Sequence, residues 1–131
     1  MTEERKLLET LFAAFNRGDI PFILSHVAEE CTLRGTLAPE LPYCGNFRGV
    51  AGAAKYFEGI AKALEPSELV VDRYVCEGEH AVAVARWRGK ARATGKTFDT
   101  PLALYFRFRD GKMIDFRGHE DTAVTVAATR N

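Results

Sequence analysis

The amino-acid sequence predicts an α+β fold, a cone-shaped roll in which three N-terminal helices pack on a strongly bent, mainly antiparallel sheet. Three observations carry this reading. Apolar residues recur at helical intervals up to about Leu64 and at intervals of two beyond it. The second half is punctuated by Glu77-Gly78-Glu79, Thr94-Gly95-Lys96 and Asp110-Gly111, each a hairpin signal. Short turns keep successive strands adjacent, and helices that precede such a meander must cover one of its faces. A bent sheet wrapped against helices leaves a conical hollow, the default place for a ligand.

In chain order, Thr2 is placed as an N-cap, with Glu3 and Glu4 in the first turn where the helix dipole favours acids. Arg5, three residues on, excludes a capping box. Leu7, Leu8, Leu11, Phe12 and Phe15 form the apolar stripe of a helix running to about Arg17 and ended by Gly18. Asp19 caps a second, short helix with Pro21 in its first turn and Phe22, Ile23, Leu24 and Val27 as its apolar residues. Cys31 to Thr36 reads as a short strand. The segment APELPYCGNFRGV that follows reads as a loop of the length that often rims a pocket. Val50 to Leu64 is the third helix, with Val50, Ala53, Ala54, Phe57, Ile60, Ala61 and Leu64 as its stripe and Pro66 closing it.

Strands are predicted over Leu69 to Cys76, His80 to about Ala93, Thr97 to Arg109 and Lys112 to about Thr122. In the last hairpin Leu102, Leu104, Phe106 and Phe108 share one face of the outgoing strand. On the return strand Ile114, Phe116, Gly118 and Glu120 share one face, and Met113, Asp115, Arg117, His119 and Asp121 the other.

At 131 residues the chain is expected to be one domain spanning 1–131, large enough to bury a core without disulfides. Lys plus Arg equals Asp plus Glu, 18 against 18, so no global field draws in nucleic acid or an anionic membrane. No apolar run approaches a bilayer span, and MTEERKLLET is a charged helix start rather than a signal peptide, so the expected compartment is the cytoplasm. Cys31, Cys44 and Cys76 are too widely spaced for a disulfide framework or a CxxC site and are expected to be reduced. His26, His80 and His119 lack ligand spacing, and neither a metal nor a cofactor is expected.

FAAFNRGDIPFIL, PYCGNFRGVAGAAKYFEGIAKAL, RWRGKARATGKTFDT and FRDGKMIDFRGHEDTA together resemble the SnoaL-like, polyketide-cyclase-like branch of the nuclear-transport-factor-like superfamily, which also holds ketosteroid isomerases and limonene epoxide hydrolases. The resemblance implies the conical α+β fold and a homodimer through the sheet's outer face. It also implies a pocket for a small hydrophobic molecule.

Carried over residue by residue, the isomerase machinery is missing. The strand that should bear its base reads CTLRGT, offering Arg34, Gly35 and Thr36, and its oxyanion-hole positions hold Leu11 and Leu104. Of the epoxide hydrolases' Asp-Arg-Asp set only the arginine is filled, by Arg86, with Arg88 and Gly118 where the acids belong. The polyketide cyclases use one acid–base carboxylate, for which the resemblance favours Glu120 over Asp121.

The expected catalytic residues are therefore Glu120, Arg86 and Arg88, with Tyr43, Arg34, Trp87, Leu104, Phe106 and Phe116 contacting the ligand. Alternation leaves the strand from His80 open. If the face of Val82 and Val84 is inward, Arg86 and Arg88 enter the hollow; if that of Ala81, Ala83 and Ala85 is inward, Trp87 does. Burial of Glu120 against Phe116 and Phe106 would raise its pKa, whereas pairing with an arginine would lower it. His119 and Asp121, two apart, could form a base with its orienter. The expected function is a cofactor-independent cyclase-, isomerase- or hydrolase-like enzyme working by proton transfer. A non-catalytic ligand-binding module is the alternative, and a dimerisation scaffold with a filled cone the third reading.

Overall fold

The computed structural model describes residues 3–35 and 41–130. Helices α1 (Glu3–Asn16) and α2 (Ile20–Leu24) precede strands β1 (Val27–Arg34) and β2 (Asn46–Arg48). Then come helix α3 (Gly49–Ala63), strands β3 (Glu68–Glu77), β4 (His80–Lys90), β5 (Thr97–Arg109) and β6 (Lys112–Glu120), and helix α4 (Thr122–Thr129). The six strands form one sheet in the order β2-β1-β6-β5-β4-β3. Every neighbouring pair is antiparallel except β1 with β6, so the sheet is mixed as well as bent.

Local chemistry accounts for most of these boundaries. Gly18, at φ 77°, ends α1 in the left-handed conformation that only glycine adopts without cost. Asp19 caps α2, its carboxylate accepting from the Phe22 N–H at 3.2 Å. Asp110 and Gly111, at φ 52° and 75°, supply the paired positive angles that the β5–β6 turn requires. The N-cap expected at Thr2 lies outside the described residues.

The structure revises four boundaries. Val27 is the first residue of β1 rather than part of the second helix. That strand therefore starts four residues before Cys31, hidden by an irregularity between Val27 and Thr32 in its pairing with β6. Its expected end at Thr36 lies outside the described residues. Asn46–Arg48, read as loop, pairs with Thr32–Arg34 as a short edge strand. β4 ends at Lys90, three residues before Ala93. The last strand stops at Glu120 because the Asp121 carboxylate accepts from the Ala123 N–H at 3.1 Å and starts α4, a helix absent from the sequence reading.

The helices bury their stripes on one face of the sheet. Leu8, Leu11 and Phe12 of α1 and Ala53 and Ile60 of α3 meet Leu102, Leu104, Phe106 and Phe108 of β5 in one continuous core. The β4–β5 register decides which face of β4 joins them. Ala81 lies beside Phe106, Ala83 beside Leu104, Ala85 beside Leu102 and Trp87 beside Thr100. Directly opposed residues share a face, so the alanine face is inward and small side chains alternate with large ones across the pair.

The loop before α3 is held by close backbone approach. A Cβ at Gly59 would stand 2.6 Å from the Pro42 carbonyl oxygen and 3.1 Å from the Tyr43 nitrogen, so glycine lets α3 lie directly on the segment that carries Tyr43. Among the described residues no helix is long and apolar enough to cross a membrane.

Gly59→Ala is expected to destabilise the protein by about 1–3 kcal/mol, because backbone overlap outweighs the helix propensity gained, which is only ~1 kcal/mol. Urea unfolding checks this, with a shifted midpoint at unchanged slope as the expected result.

Candidate active site

Between helices and sheet lies a hollow with about 80 Å³ of space open to the centres of water-sized molecules. α1 contributes Leu11, Phe12 and Phe15, and α3 contributes Tyr56, Phe57 and Ile60. The sheet supplies Leu33, Leu69, Trp87, Leu102, Leu104, Phe106, Met113 and Phe116. Phe106 is the hub of this wall, with ring centroids 5.9 Å from Phe12, 5.8 Å from Phe108 and 5.2 Å from Phe116. This space is left between the side chains that line it.

The polar groups gather where β6 ends. Glu120 lines the hollow together with Tyr43, Tyr56, Gly118 and the exposed His119. Its partner across β5 is Leu102, so the register that buries Leu102 also turns Glu120 inward. Glu120 Oε2 accepts from Thr125 Oγ1 at 3.1 Å. Burial pushes its carboxyl up to about 7; the Thr125 hydrogen bond works against the shift and the neighbouring Asp121 adds to it.

Tyr43 is 2% exposed, and among the described residues its hydroxyl has no hydrogen-bond partner. Burial and then the charge of Glu120 raise its pKa. Thr125 is near enough to oppose that rise, but no bond of ordinary geometry joins the two. Tyr43 stacks edge-on to Trp87 at 5.5 Å. The Tyr56 phenol is likewise raised by burial, then by Glu120 and Cys44. A carboxyl that titrates near neutrality thus faces two phenols that stay protonated, inside an aromatic box.

The sequence candidates divide cleanly. Glu120, Tyr43, Trp87, Leu104, Phe106 and Phe116 all line the hollow. Arg86 and Arg88 do not, which corrects their expected place in the site. They lie on the outer face of β4, where one carboxylate holds both, Arg86 Nε at 2.9 Å and Arg88 Nε at 3.3 Å from the two oxygens of Asp99. Their direction follows from the inward alanine face, and a guanidinium is far cheaper to keep in water than in an apolar cavity.

Arg34 is corrected in the same way. It is exposed on β1 and borders a shallow outer depression with Thr32, Asn46, Phe47 and Arg48. On β6, Ile114 gives up its expected inward place to Met113, because the pairing slips between Arg107 and Phe108. Asp121 is occupied as the cap of α4 rather than as an orienter of His119. Cys31 is fully buried and its thiol is pushed up to about 12, as suits an inert residue.

Two polar residues of the site were missed. Tyr56 stands three residues after Ala53 and four before Ile60, on their helical face, so the spacing contained the signal. Thr125 belongs to α4, and Asp121 followed by TAVTVAAT is a legible cap and helix once the strand is allowed to stop.

A family model described as a SnoaL-like domain matches residues 8–116. The chain belongs to this family. No curated protein matches the sequence. Among solved structures, this SnoaL-like chain is similar over 100% of both chains to an NTF2-like protein of unknown function from Burkholderia pseudomallei, at 21% identity and a TM-score of 0.90. It is similar to TerC, co-crystallised with polyporic acid, at 18% identity and a TM-score of 0.89, over 99% of this chain and 100% of that one. A polyketide cyclase candidate from Xanthomonas campestris aligns at 21% identity and a TM-score of 0.80, over 97% and 96% of the two chains. At these identities the likeness establishes the fold. The match to the SnoaL-like model stops at Phe116, so Glu120 and α4 lie beyond it.

Because the Glu120 carboxyl keeps its proton up to about pH 7 in the folded SnoaL-like chain but loses it near 4.5 when unfolded, the folded state binds the extra proton between those values. Its stabilising contribution is complete below pH 4.5, falls as pH rises and is gone above 7. Glu120→Gln, which mimics the protonated form, is expected to be the more stable protein at pH 8 by on the order of 3 kcal/mol, with no difference near pH 4.5. Urea unfolding of both proteins at the two pH values measures it.

Proposed function

We propose that this protein is an enzyme of the polyketide-cyclase and ketosteroid-isomerase type, moving a proton on a small hydrophobic carbonyl compound without a cofactor. The observation that carries the reading is Glu120, a carboxyl titrating near 7 at the polar end of an otherwise apolar hollow. A general base is most effective when its pKa lies near the working pH, and burial supplies that here. The ionised Glu120 takes a proton from the carbon next to the carbonyl, and the electron pair moves onto the carbonyl oxygen. The Tyr43 hydroxyl, buried and lacking a partner among the described residues, donates a hydrogen bond to that oxygen as it becomes negative. Returning the proton from Glu120 to a second carbon completes an isomerisation. Attack of the carbanion on a second carbonyl, with Glu120 protonating the new alkoxide, completes a ring closure.

An aromatic box suits a substrate of flat, apolar body. TerC, of the same fold, was co-crystallised with polyporic acid, and that supports an organic ligand for this chain. The same reading takes the protein as a cytoplasmic homodimer that meets its partner through the outer face of the sheet. Val70, Val75 and Val84 stand exposed on β3 and β4, where a second copy would cover them.

A non-catalytic binding module is the second reading. It is favoured by one observation, that Leu11 and Leu104 line the hollow where the isomerases carry polar groups.

Solvent-deuterium exchange separates the two. Incubated in D2O with a panel of cyclic ketones and 1,3-diketones, the protein is expected to accelerate exchange next to the carbonyl, with a rate rising through pH 7 as Glu120 ionises. Glu120→Gln is expected to lose about 10²- to 10⁴-fold of that rate, while Arg86→Ala stays within about two-fold. Binding without exchange above buffer, or full exchange by Glu120→Gln, would exclude the proton-transfer reading.

A further inference from the structure

Thr125 is the only hydroxyl for which a hydrogen bond to Glu120 is defined among the described residues, and its own geometry is unusual. Its Oγ1 lies 3.1 Å from Glu120 Oε2 and 3.2 Å from the Thr122 carbonyl oxygen, one turn back in α4. A threonine hydroxyl has one proton to donate and two lone pairs that accept, so it cannot serve both acceptors at full strength at once. It is 1% exposed, and water does not compete for it.

The helix that carries it is fixed at both ends. Asp121 caps its start, and at its far end Thr94 Oγ1 donates to the Ala128 carbonyl and Lys96 Nζ to that of Arg130. Thr125 is thus a rigidly mounted hydroxyl between a titrating carboxyl and a fixed carbonyl.

We propose that Thr125 is a positioning residue that serves Glu120 in both of its protonation states. With Glu120 ionised, the Thr125 hydroxyl donates to Oε2. With Glu120 protonated on Oε2, that oxygen donates to Thr125 Oγ1, and Thr125 turns its proton to the Thr122 carbonyl. No heavy atom moves, and neither state leaves a buried donor without an acceptor. A buried carboxyl ordinarily loses a hydrogen bond on one side of its titration; this arrangement lets Glu120 cycle, which is what an acid–base group needs. The inference takes its functional sense from the reading of Glu120 as that group, yet its geometry stands without any turnover.

Among the described residues, the other titratable groups that line the hollow with Glu120 or flank it are Tyr43 and Cys44 from the loop, Tyr56 from α3, and His119 and Asp121 beside it in the chain. Tyr43 and Tyr56 stay protonated through neutrality, and Asp121 is held as a cap.

The test is a carbon-13 NMR titration of the Glu120 carboxyl, which reads protonation and not catalysis. Thr125→Val keeps the shape and removes the hydroxyl. Since a bond to the ionised form is the stronger of the two, the Glu120 midpoint is expected to rise by about one pH unit, and Thr125→Ser to restore it. In the unsubstituted protein the Thr122 carbonyl carbon is expected to shift with the same midpoint as Glu120, as it gains and loses the Thr125 proton. A Thr125→Val midpoint equal to that of the unsubstituted protein, or a Thr122 carbonyl indifferent to the Glu120 titration, would overturn the proposal. The second readout needs no substitution and survives a Thr125→Val that fails to fold. Loss of deuterium exchange with these titrations intact would sink the catalytic reading alone.

Discussion

The side-chain period of two along β5, held in register from both sides, is the constraint on which the rest depends. β5 is paired along most of its length, with β4 on one side and β6 on the other. Leu102, Leu104, Phe106 and Phe108 therefore fix the inner face of three strands at once. Slipping β6 by one residue against β5 would turn Phe116, Gly118 and Glu120 outward together and bring the charged Asp115 and Arg117 in. The buried carboxyl is thus a consequence of register rather than of any local preference of β6. Holding it ionised above its ordinary pKa costs on the order of 3 kcal/mol, comparable with what burying one or two of the β5 side chains contributes.

That cost is tolerable because it is confined to one end of the hollow. Elsewhere the sheet separates charge from the core strictly. Asp99 gathers Arg86 and Arg88 on the outer face, Glu79 gathers Arg107 and Arg109, and Asp115 holds Arg117. These pairs are half-exposed and stabilise little by themselves. Their effect is on the inside: with the guanidiniums held outside, no cation from them stands near Glu120, and burial rather than ion pairing sets the direction of its shift.

The elements written in local chemistry were legible in the sequence. Gly18, Asp19 and Asp110-Gly111 each state a boundary through a backbone angle or a cap, and the stripes of α1 and α3 state their buried faces. What depended on a partner was not. The inward face of β4 could not be chosen from Val82 and Val84 against Ala81 and Ala83, since both sets are apolar; only pairing with β5 decides it, and that sent Arg86 and Arg88 out. The early start of β1 comes from its parallel pairing with β6, distant in the chain, and the exchange of Ile114 for Met113 from an irregular register that alternation alone cannot register. Glu120 was found because its strand runs on from a well-marked hairpin. Thr125 was not, because the alternating pattern runs on to about Thr122, two residues past the true strand end at Glu120 and across the Asp121 cap.

The division between what is shared and what is particular follows the same line. The part of the chain that matches the SnoaL-like model, from Leu8 to Phe116, supplies most of α1, all of α2 and α3, most of the sheet and nearly all of the apolar wall. The polar end is assembled from Tyr43 in a loop, Tyr56 on α3, and Glu120 and Thr125 from the segment beyond the match. A fold constrains apolar volume strongly, because packing in the core is felt at the scale of a methyl group. It constrains the polar end weakly, since one carboxyl and the hydroxyls around it can be exchanged without disturbing the wall. Members of such a family can therefore hold the cone constant while its chemistry changes, and in this chain the groups that set the protonation of the site sit where that freedom is greatest.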